Sequence, residues 1–375
     1  MNIVINAVLA FEKPRGVGRY LNELLPALAE IDKSNQYFIY YGKWMKAYDF
    51  LNVQQENFTF IELNISNNQI FRNLYLAYIL PLKCKKYRPD IYFLPDTQAT
   101  FVKPCKIIST IHDIMEFDFP RKYSKMQGRL RRMVVRRQCK ISDQIMTVSK
   151  FSKAEIIRYL KVQEDKVSVV PNSVAIPKIG TKVCDPEKYF LFVSETEWAK
   201  NAIVLLKAFN LLDEKVKKAY KIKIVGKKGN QYDEMISYID NNGLHNKVEF
   251  YGYVSDDELK ELYSKAYAFV FPSFFEGFGL PILEAMAQGV PVICSDRASM
   301  PEVGGEAVLT FDPHDPVALA NVLNILINDA LLRKTMIQKG LARVKDFSVS
   351  NQAEMILNKF KSLYDETKNK DNSKS

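Results

Sequence analysis

Glu276 and Glu284 stand eight positions apart in the stretch FPSFFEGFGLPILEAMAQGVPVICSD. Between them the loop Gly277-Phe278-Gly279-Leu280 leads out of an apolar run, AFVF, into Pro281, a residue suited to the first turn of a helix that Gly289 would end. A helix start directs unpaired backbone N–H groups at whatever lies beyond the strand, which makes a seat for a diphosphate or a sugar. A carboxylate at either end of that seat would accept hydrogen bonds from sugar or ribose hydroxyls rather than hold a metal. A capped turn without function is the bland alternative. It accounts poorly for two glycines, two glutamates and a proline in this order.

Lys200-Asn201 follows the run FLFVS and precedes a helical stretch. A lysine there reaches a phosphate as a flexible point charge, although surface lysines are common. Gly16-Val17-Gly18 follows the first strand and opens a helix, so its backbone can approach a phosphate closely. Leu21 takes the place of the third glycine of a dinucleotide fingerprint, which weakens an NAD reading and leaves a tight strand-to-helix turn as the plainer account. His112-Asp113 ends the strand IISTI, at the carboxyl edge where open parallel sheets collect ligands. A local hydrogen-bond arrangement explains that pair as well.

In RLRRMVVRRQCK, residues Arg129, Arg132, Arg136 and Lys140 recur at spacings of three and four, with Leu130, Val134 and Ile141 on another face. This is a basic amphipathic helix, either a solvated charged face or a surface for an anionic membrane. The distribution of charge favours the membrane. Within a net charge of +10, residues 1–180 hold 28 Lys and Arg against 16 Asp and Glu, and residues 181–375 hold 25 against 27. Basic stretches interleaved with aromatics are missing, so nucleic acid is not an expected partner.

Positioning these residues requires sheets. MNIVINAV, YFIYYG, IYFLP, KIISTIHD, QIMTVS and VSVVPN read as strands in the first half, and YFLFVS, YKIKIVG, VEFYGYV, AYAFVFPS, VPVICSD and AVLTFDP in the second. Helical stretches lie between them, at 18–31, 125–140, 150–161, 202–213, 231–242, 255–266 and 281–289. Strand–helix alternation with continuously apolar strands marks doubly wound α/β parallel sheets, and its repetition predicts two Rossmann-like domains. Prolines and a glycine interrupt the pattern in PNSVAIPKIGTKVCDPEKYF, which places a hinge near 175–186. The reading gives one domain over 1–178, a second over 179–348, a last helix over about 349–366 and a disordered polar tail over 367–375.

The five cysteines are scattered, without a C-x-x-C pair, and the chain has three histidines. Neither a disulfide framework nor a zinc site is expected, and a reducing cytoplasm suits the pattern. No apolar run is long enough to span a membrane, and the start does not read as a signal peptide. A D-x-D metal pair at a strand end is also missing, since Asp256-Asp257 reads as a helix cap.

With these residues in view, the chain resembles the family-4 retaining glycosyltransferases of the GT-B fold. The resemblance is densest over 248–313, where Glu276 and Glu284 match the family's E-x7-E block and Pro301-Glu302-Val303 its flank. Gly16-Val17-Gly18, IHD at 111–113, VSKFS at 148–152, VPNS at 170–173 and AKN at 199–201 match more weakly. The resemblance implies two Rossmann-like domains facing across a cleft, with the last helix crossing back onto the first. It implies that Glu276 contacts the donor sugar, that N–H groups of Phe278, Gly279 and Leu280 meet sugar or diphosphate oxygens, and that Glu284 binds the nucleotide ribose. Lys200 would neutralise the diphosphate leaving group, the Gly16–Gly18 loop would close on it, and His112 would sit beside the donor sugar. The segment from Tyr251 to Val254 would line the base. Members act without a metal, so neither metal nor cofactor is expected beyond the nucleotide diphosphate sugar.

The chain departs from the family pattern at Ser194, where glycine is usual, and at Ala199, where arginine is usual. Lys227 or Lys228 would supply the missing cation. The expectation is retaining transfer of a hexose, with mannose first, to a glycan or lipid-linked acceptor in capsule or lipopolysaccharide assembly, by a protein peripheral on the inner face of the membrane. A nucleotide-sugar epimerase and a non-catalytic sugar-nucleotide-binding scaffold are the alternatives.

Overall fold

The computed structural model describes residues 1–14, 16–119, 123–175 and 186–372. The chain forms two compact units, Met1–Ser173 with Val349–Ser375, and Val174–Ser348. The expected boundary at 178 and most of the expected hinge lie outside the described residues.

The first unit is built on seven parallel strands: β1 (Asn2–Asn6), β2 (Gln36–Gly42), β3 (Phe58–Leu63), β4 (Ile91–Leu94), β5 (Lys106–Ile111), β6 (Gln144–Thr147) and β7 (Val167–Val169). Their order is β3-β2-β1-β4-β5-β6-β7. Helices cover the sheet, so β4 is buried along its whole length and β5 at all but its first residue, which is why both read as unbroken apolar runs. Leu21, Leu24, Leu25 and Leu28 of the helix Val17–Ile31 share one core with Ile3 and Ile5 of β1 and with Ile356 and Phe360 of the last helix. Each fully buried side chain of this size contributes about 1.5–3 kcal/mol.

That last helix runs Val349–Asn372, so the expected disorder from 367 is replaced by helix as far as Asn372. Leu363 is buried, Thr367 Oγ1 donates to the Leu363 carbonyl at 2.8 Å, and Lys368 Nζ lies 4.8 Å from the Tyr364 ring centre. These contacts one turn apart carry the helix into the polar segment.

The second unit holds six parallel strands: β8 (Tyr189–Val193), β9 (Lys221–Val225), β10 (Val248–Gly252), β11 (Ala268–Phe271), β12 (Val292–Ser295) and β13 (Val308–Phe311). Their order is β10-β9-β8-β11-β12-β13. Phe190 and Phe192 of β8 pack with Leu205 and Phe209 of the helix Ala202–Asn210 and with Leu319 and Leu323 of the helix Pro316–Asn328. In each unit the strand order reverses once, between β1 and β4 and between β8 and β11. Open sheets of this kind leave a crevice at the carboxyl ends of such a pair.

Cys84, Cys139 and Cys294 are buried free thiols and Cys105 is half-buried. Burial pushes the thiols of Cys84, Cys105 and Cys139 up to about 12, which keeps them unreactive. Cys184 lies outside the described residues. Among the described residues no single helix is long and apolar enough to cross a membrane.

Candidate functional site

The crevice between β8 and β11 gathers the residues with the strongest sequence signal. After β8 the chain makes a short 3-10 turn, Trp198–Lys200, and Asn201 adopts a left-handed φ of 55°. Asparagine tolerates that conformation, and its side chain is used twice here. Nδ2 donates to the carbonyls of Pro272 at 3.2 Å and Pro313 at 2.7 Å, tying the loop to those after β11 and β13. Phe274 N–H donates to the Ala199 carbonyl at 2.9 Å. Lys200 is thereby held, with Nζ 2.7 Å from Glu276 Oε1.

Glu276 belongs to the loop that leads into the helix Leu280–Ala287. Gly279 caps that helix with φ 100°, which favours glycine, and Pro281 sits in its first turn. The buried Ser299 hydroxyl lies 2.8 Å from the carbonyl oxygens of both Glu276 and Phe278, which fixes the loop. Glu284, one turn into the helix, accepts a hydrogen bond from Tyr263 Oη at 3.2 Å. The result is a lysine, two carboxylates and a helix start at one end of one sheet, suited to an anion bearing hydroxyls.

Ser194 lies at the end of β8 and donates its N–H to Val225 O at 2.9 Å. The Gly226–Gly229 turn packs onto this loop so tightly that a Cβ on Gly226 would meet Ser194 O at 2.0 Å. Lys227 and Lys228 are therefore carried beside the loop that holds Lys200. Both are exposed, and Lys228 Nζ lies 4.3 Å from the Tyr232 ring centre. Tyr251 is the penultimate residue of β10, at the carboxyl end of the sheet. Its hydroxyl donates to Glu249 Oε2 at 3.1 Å, in a surface network with Lys221 and Lys223. Val254 is half-buried in the loop after β10.

In the first unit the crevice between β1 and β4 holds two adjoining hollows of about 360 Å³ each. Gly16, Val17 and Gly18 line one of them. Gly16 caps its helix with φ 51° and open space around the missing Cβ, whereas a Cβ on Gly18 would meet Tyr48 Oη at 2.9 Å. Packing therefore accounts for the second glycine. His112 and Asp113 line the other hollow with Asp96, Glu116 and Arg131. His112 Nε2 donates to the Pro95 carbonyl at 3.0 Å, which leaves Nδ1 as the acceptor of the neutral ring. Burial raises the Asp96 pKa, opposed by the nearby His112. Glu116 is buried with Oε1 unpartnered among the described residues, and burial, reinforced by Asp113, raises its pKa too.

The helix Lys125–Ile141 only partly matches its expected faces. Gly128, Val135, Gln138, Cys139 and Ile141 are buried, while Leu130 is 57% exposed. The expected grouping of Leu130 with Ile141 is overturned because the packed stripe follows 128, 135 and 139 instead. Arg129, Arg136 and Lys140 are exposed, but Arg132 turns inward and donates from Nη1 to Glu116 O at 3.0 Å. Sequence reasoning missed Glu116, Asp96, Tyr263 and Ser299. For Asp96 a signal existed, an acid directly after the strand IYFLP.

Residues 14–176 match the family model of Glycosyltransferase Family 4 and residues 180–343 that of Glycosyl transferases group 1. O-antigen chain mannosyltransferase B of Escherichia coli is 34% identical over 294 residues, 74% of this chain and 76% of that protein. O-antigen chain mannosyltransferase RfbU of Salmonella typhimurium is 35% identical over 206 residues, 55% of this chain and 56% of that one. Sucrose-phosphate synthase from Thermosynechococcus elongatus superposes with a TM-score of 0.74 at 19% identity, covering 97% of this chain and 99% of its own. HepE from Anabaena, solved with UDP and glucose, gives 0.69 at 17%, covering 96% and 99%. The solved structures share the GT-B fold of two Rossmann-like domains with this chain. The chain belongs to the glycosyltransferases, family 4 in its first half and group 1 in its second.

Proposed function

We propose that this protein is a retaining hexosyltransferase that moves mannose from a nucleotide diphosphate sugar to a glycan or lipid-linked acceptor in cell-surface polysaccharide assembly. The Lys200–Glu276 pair beside a helix start, at the reversal of strand order, carries the reading. Lys200 and the first N–H groups of the helix Leu280–Ala287 stabilise the departing diphosphate. Glu276 accepts hydrogen bonds from the donor sugar, and Glu284, oriented by Tyr263, from the ribose. The bond from the anomeric carbon to the diphosphate oxygen breaks. The acceptor oxygen bonds to the same face of that carbon, and its proton passes to the departing diphosphate. No metal is assigned a part. The hollow containing His112, Asp96 and Glu116 receives the acceptor, because carboxylates there suit a sugar's hydroxyl donors.

The names of the two mannosyltransferase relatives support mannose and the polysaccharide setting, and the excess of cations in the first half supports work at the inner face of the membrane. Ala199 favours a second reading, a scaffold that binds donor without turning it over. The deciding experiment incubates the full chain with nucleotide sugars that differ in base and sugar, and follows both melting temperature and nucleoside diphosphate release. A donor that raises the melting temperature yet releases nothing with any acceptor would leave the scaffold standing. Inversion at the anomeric carbon of the product, read by NMR, would overturn the retaining mechanism.

A further inference from the structure

The stretch 69–84 is helical throughout, as Gln69–Leu74, Tyr75–Ile79 and Leu80–Cys84 in succession. Its inner side, Leu76, Ala77, Leu80, Pro81 and Cys84, is buried against the sheet. Its outer side is apolar as well. Ile70, Phe71, Leu74, Tyr78, Ile79 and Leu82 are each 44–69% exposed. A helix at the surface of a soluble domain normally turns polar residues outward, so apolar residues on both sides call for a second apolar environment.

This face continues onto the helix Lys125–Ile141. Met126, Leu130 and Met133, 53–79% exposed, fall within an arc of about 60° on that helix. Phe101 joins the two. Its ring stacks on Tyr78 at 5.0 Å and 7°, and its N–H donates to the Ala77 carbonyl at 2.9 Å. The Arg137 guanidinium lies 5.3 Å from the same ring centre and donates to the Phe101 carbonyl at 3.1 Å. Ten of the nineteen exposed large hydrophobic side chains among the described residues belong to this surface, so it is a patch and not a scatter. The hollow with His112 lies between the same two helices, lined by Gln69, Asn73 and Leu76 from one and by Leu130 and Val134 from the other.

We propose that this surface inserts into the headgroup and upper acyl region of an anionic bilayer, and that the hollow receives its acceptor at the membrane plane. The second clause rests on the acceptor reading given above; the first does not. Charge selects the occupant. Segments 65–88 and 119–142 contain fourteen Lys and Arg and no Asp or Glu. Lys83, Lys85 and Lys86 follow one apolar face, and Arg129, Arg136 and Lys140 border the other. A second copy of the chain would set these like charges against each other. An anionic bilayer accepts both the cations and the apolar side chains.

The test compares wild type, Phe71→Gln/Leu74→Gln/Leu82→Gln, and Arg129→Glu/Arg136→Glu/Lys140→Glu in sedimentation with vesicles of phosphatidylglycerol and phosphatidylcholine. Wild type should bind and keep a measurable part of its binding in 0.5 M salt, where the Debye length is roughly 4 Å. The glutamine variant should lose about a thousandfold in partitioning, about tenfold for each of its three large side chains. It should keep the wild-type melting temperature and transfer to a short soluble acceptor. A tryptophan at 71, introduced by Phe71→Trp, should shift its emission to the blue on vesicles. Vesicle binding by the glutamine variant equal to wild type would overturn the proposal. So would complete release of wild type by salt, which would leave only electrostatic adhesion, or a dimer that the glutamine variant abolishes while vesicle binding persists. If wild type transferred to no acceptor, the enzymatic reading would fail while the binding data still judged the insertion.

Discussion

Lys200 Nζ lies 2.7 Å from Glu276 Oε1, a contact that joins the loop after β8 to the loop after β11 where the strand order reverses. Both side chains are mostly buried, 19% and 13% exposed, so each is the other's main counter-charge before substrate arrives. Under the proposed function, a diphosphate would supply Lys200 with a stronger anion and release Glu276 towards the sugar. Lys200→Ala should therefore lower kcat by about 10²–10³ and weaken binding of the bare nucleoside diphosphate. Glu276→Gln should leave that binding unchanged or tighter while turnover falls. Calorimetric titration with a nucleoside diphosphate separates the two, and weaker binding by Glu276→Gln would contradict the exchange of partners.

Tyr263 and Glu284 form a second coupled pair. With Tyr263 Oη donating to the carboxylate at 3.2 Å, Glu284 is held in place, and under the proposed function it would be aimed before the ribose arrives. Glu284→Ala should weaken nucleotide affinity by about 1.5–3 kcal/mol, the worth of a hydrogen bond to a charged group. Tyr263→Phe should lose less, about 0.5–1.5 kcal/mol, because the carboxylate remains but turns more freely. Equal losses for the two variants would mean that Tyr263 itself touches the ligand.

What the sequence discloses follows from where contrast exists. Strands buried on both faces stand out as apolar runs, whereas β3, an edge strand with residues such as Thr59 and Glu62 exposed, does not. The stretch 69–84 escapes notice for the opposite reason. With Leu76 and Leu80 inside and Phe71 and Leu82 outside, its polar residues are Gln69, Arg72 and Asn73 in its first turns and Lys83 in its last, too few to reveal a helical period. The 276–284 segment of the candidate site is legible because glycine, proline and glutamate frame it within nine residues. Its supports are not, since Ser299 reaches Glu276 across 23 residues and only the fold brings them together. Glu116 reads as a helix acid until its burial is known.

Metal independence is the third expected outcome. The diphosphate would be balanced by Lys200 and by helix N–H groups, with Lys227 and Lys228 near the same loop. Transfer should survive EDTA at full rate. A rate restored only by added magnesium or manganese would show that these cations are insufficient and would remove Lys200 from its central place.

Glu116 supports a prediction about pH. Its side chain is buried, Oε1 has no partner among the described residues, and Oε2 lies 3.9 Å from Arg131 Nε. Burial raises its pKa, helped by Asp113 and opposed by Arg131 and Arg132. Folding thus favours the protonated carboxyl. The stability that this group contributes is fully present below the usual carboxylate range and is lost as pH rises through the raised folded-state value. Glu116→Gln preserves the shape and removes the titration. It should melt higher than wild type at neutral pH, by about 2–6 °C for a buried group left short of a partner, and the gap should close as pH falls to about 4. Scanning calorimetry at several pH values reads this directly. A variant less stable than wild type at neutral pH would show that Arg131 pairs with an ionised Glu116 strongly enough to outweigh burial. If the hollow takes the acceptor, the same variant should also raise the acceptor KM by about tenfold while leaving donor affinity alone, since one charged acceptor of a sugar hydroxyl has been replaced by a neutral one.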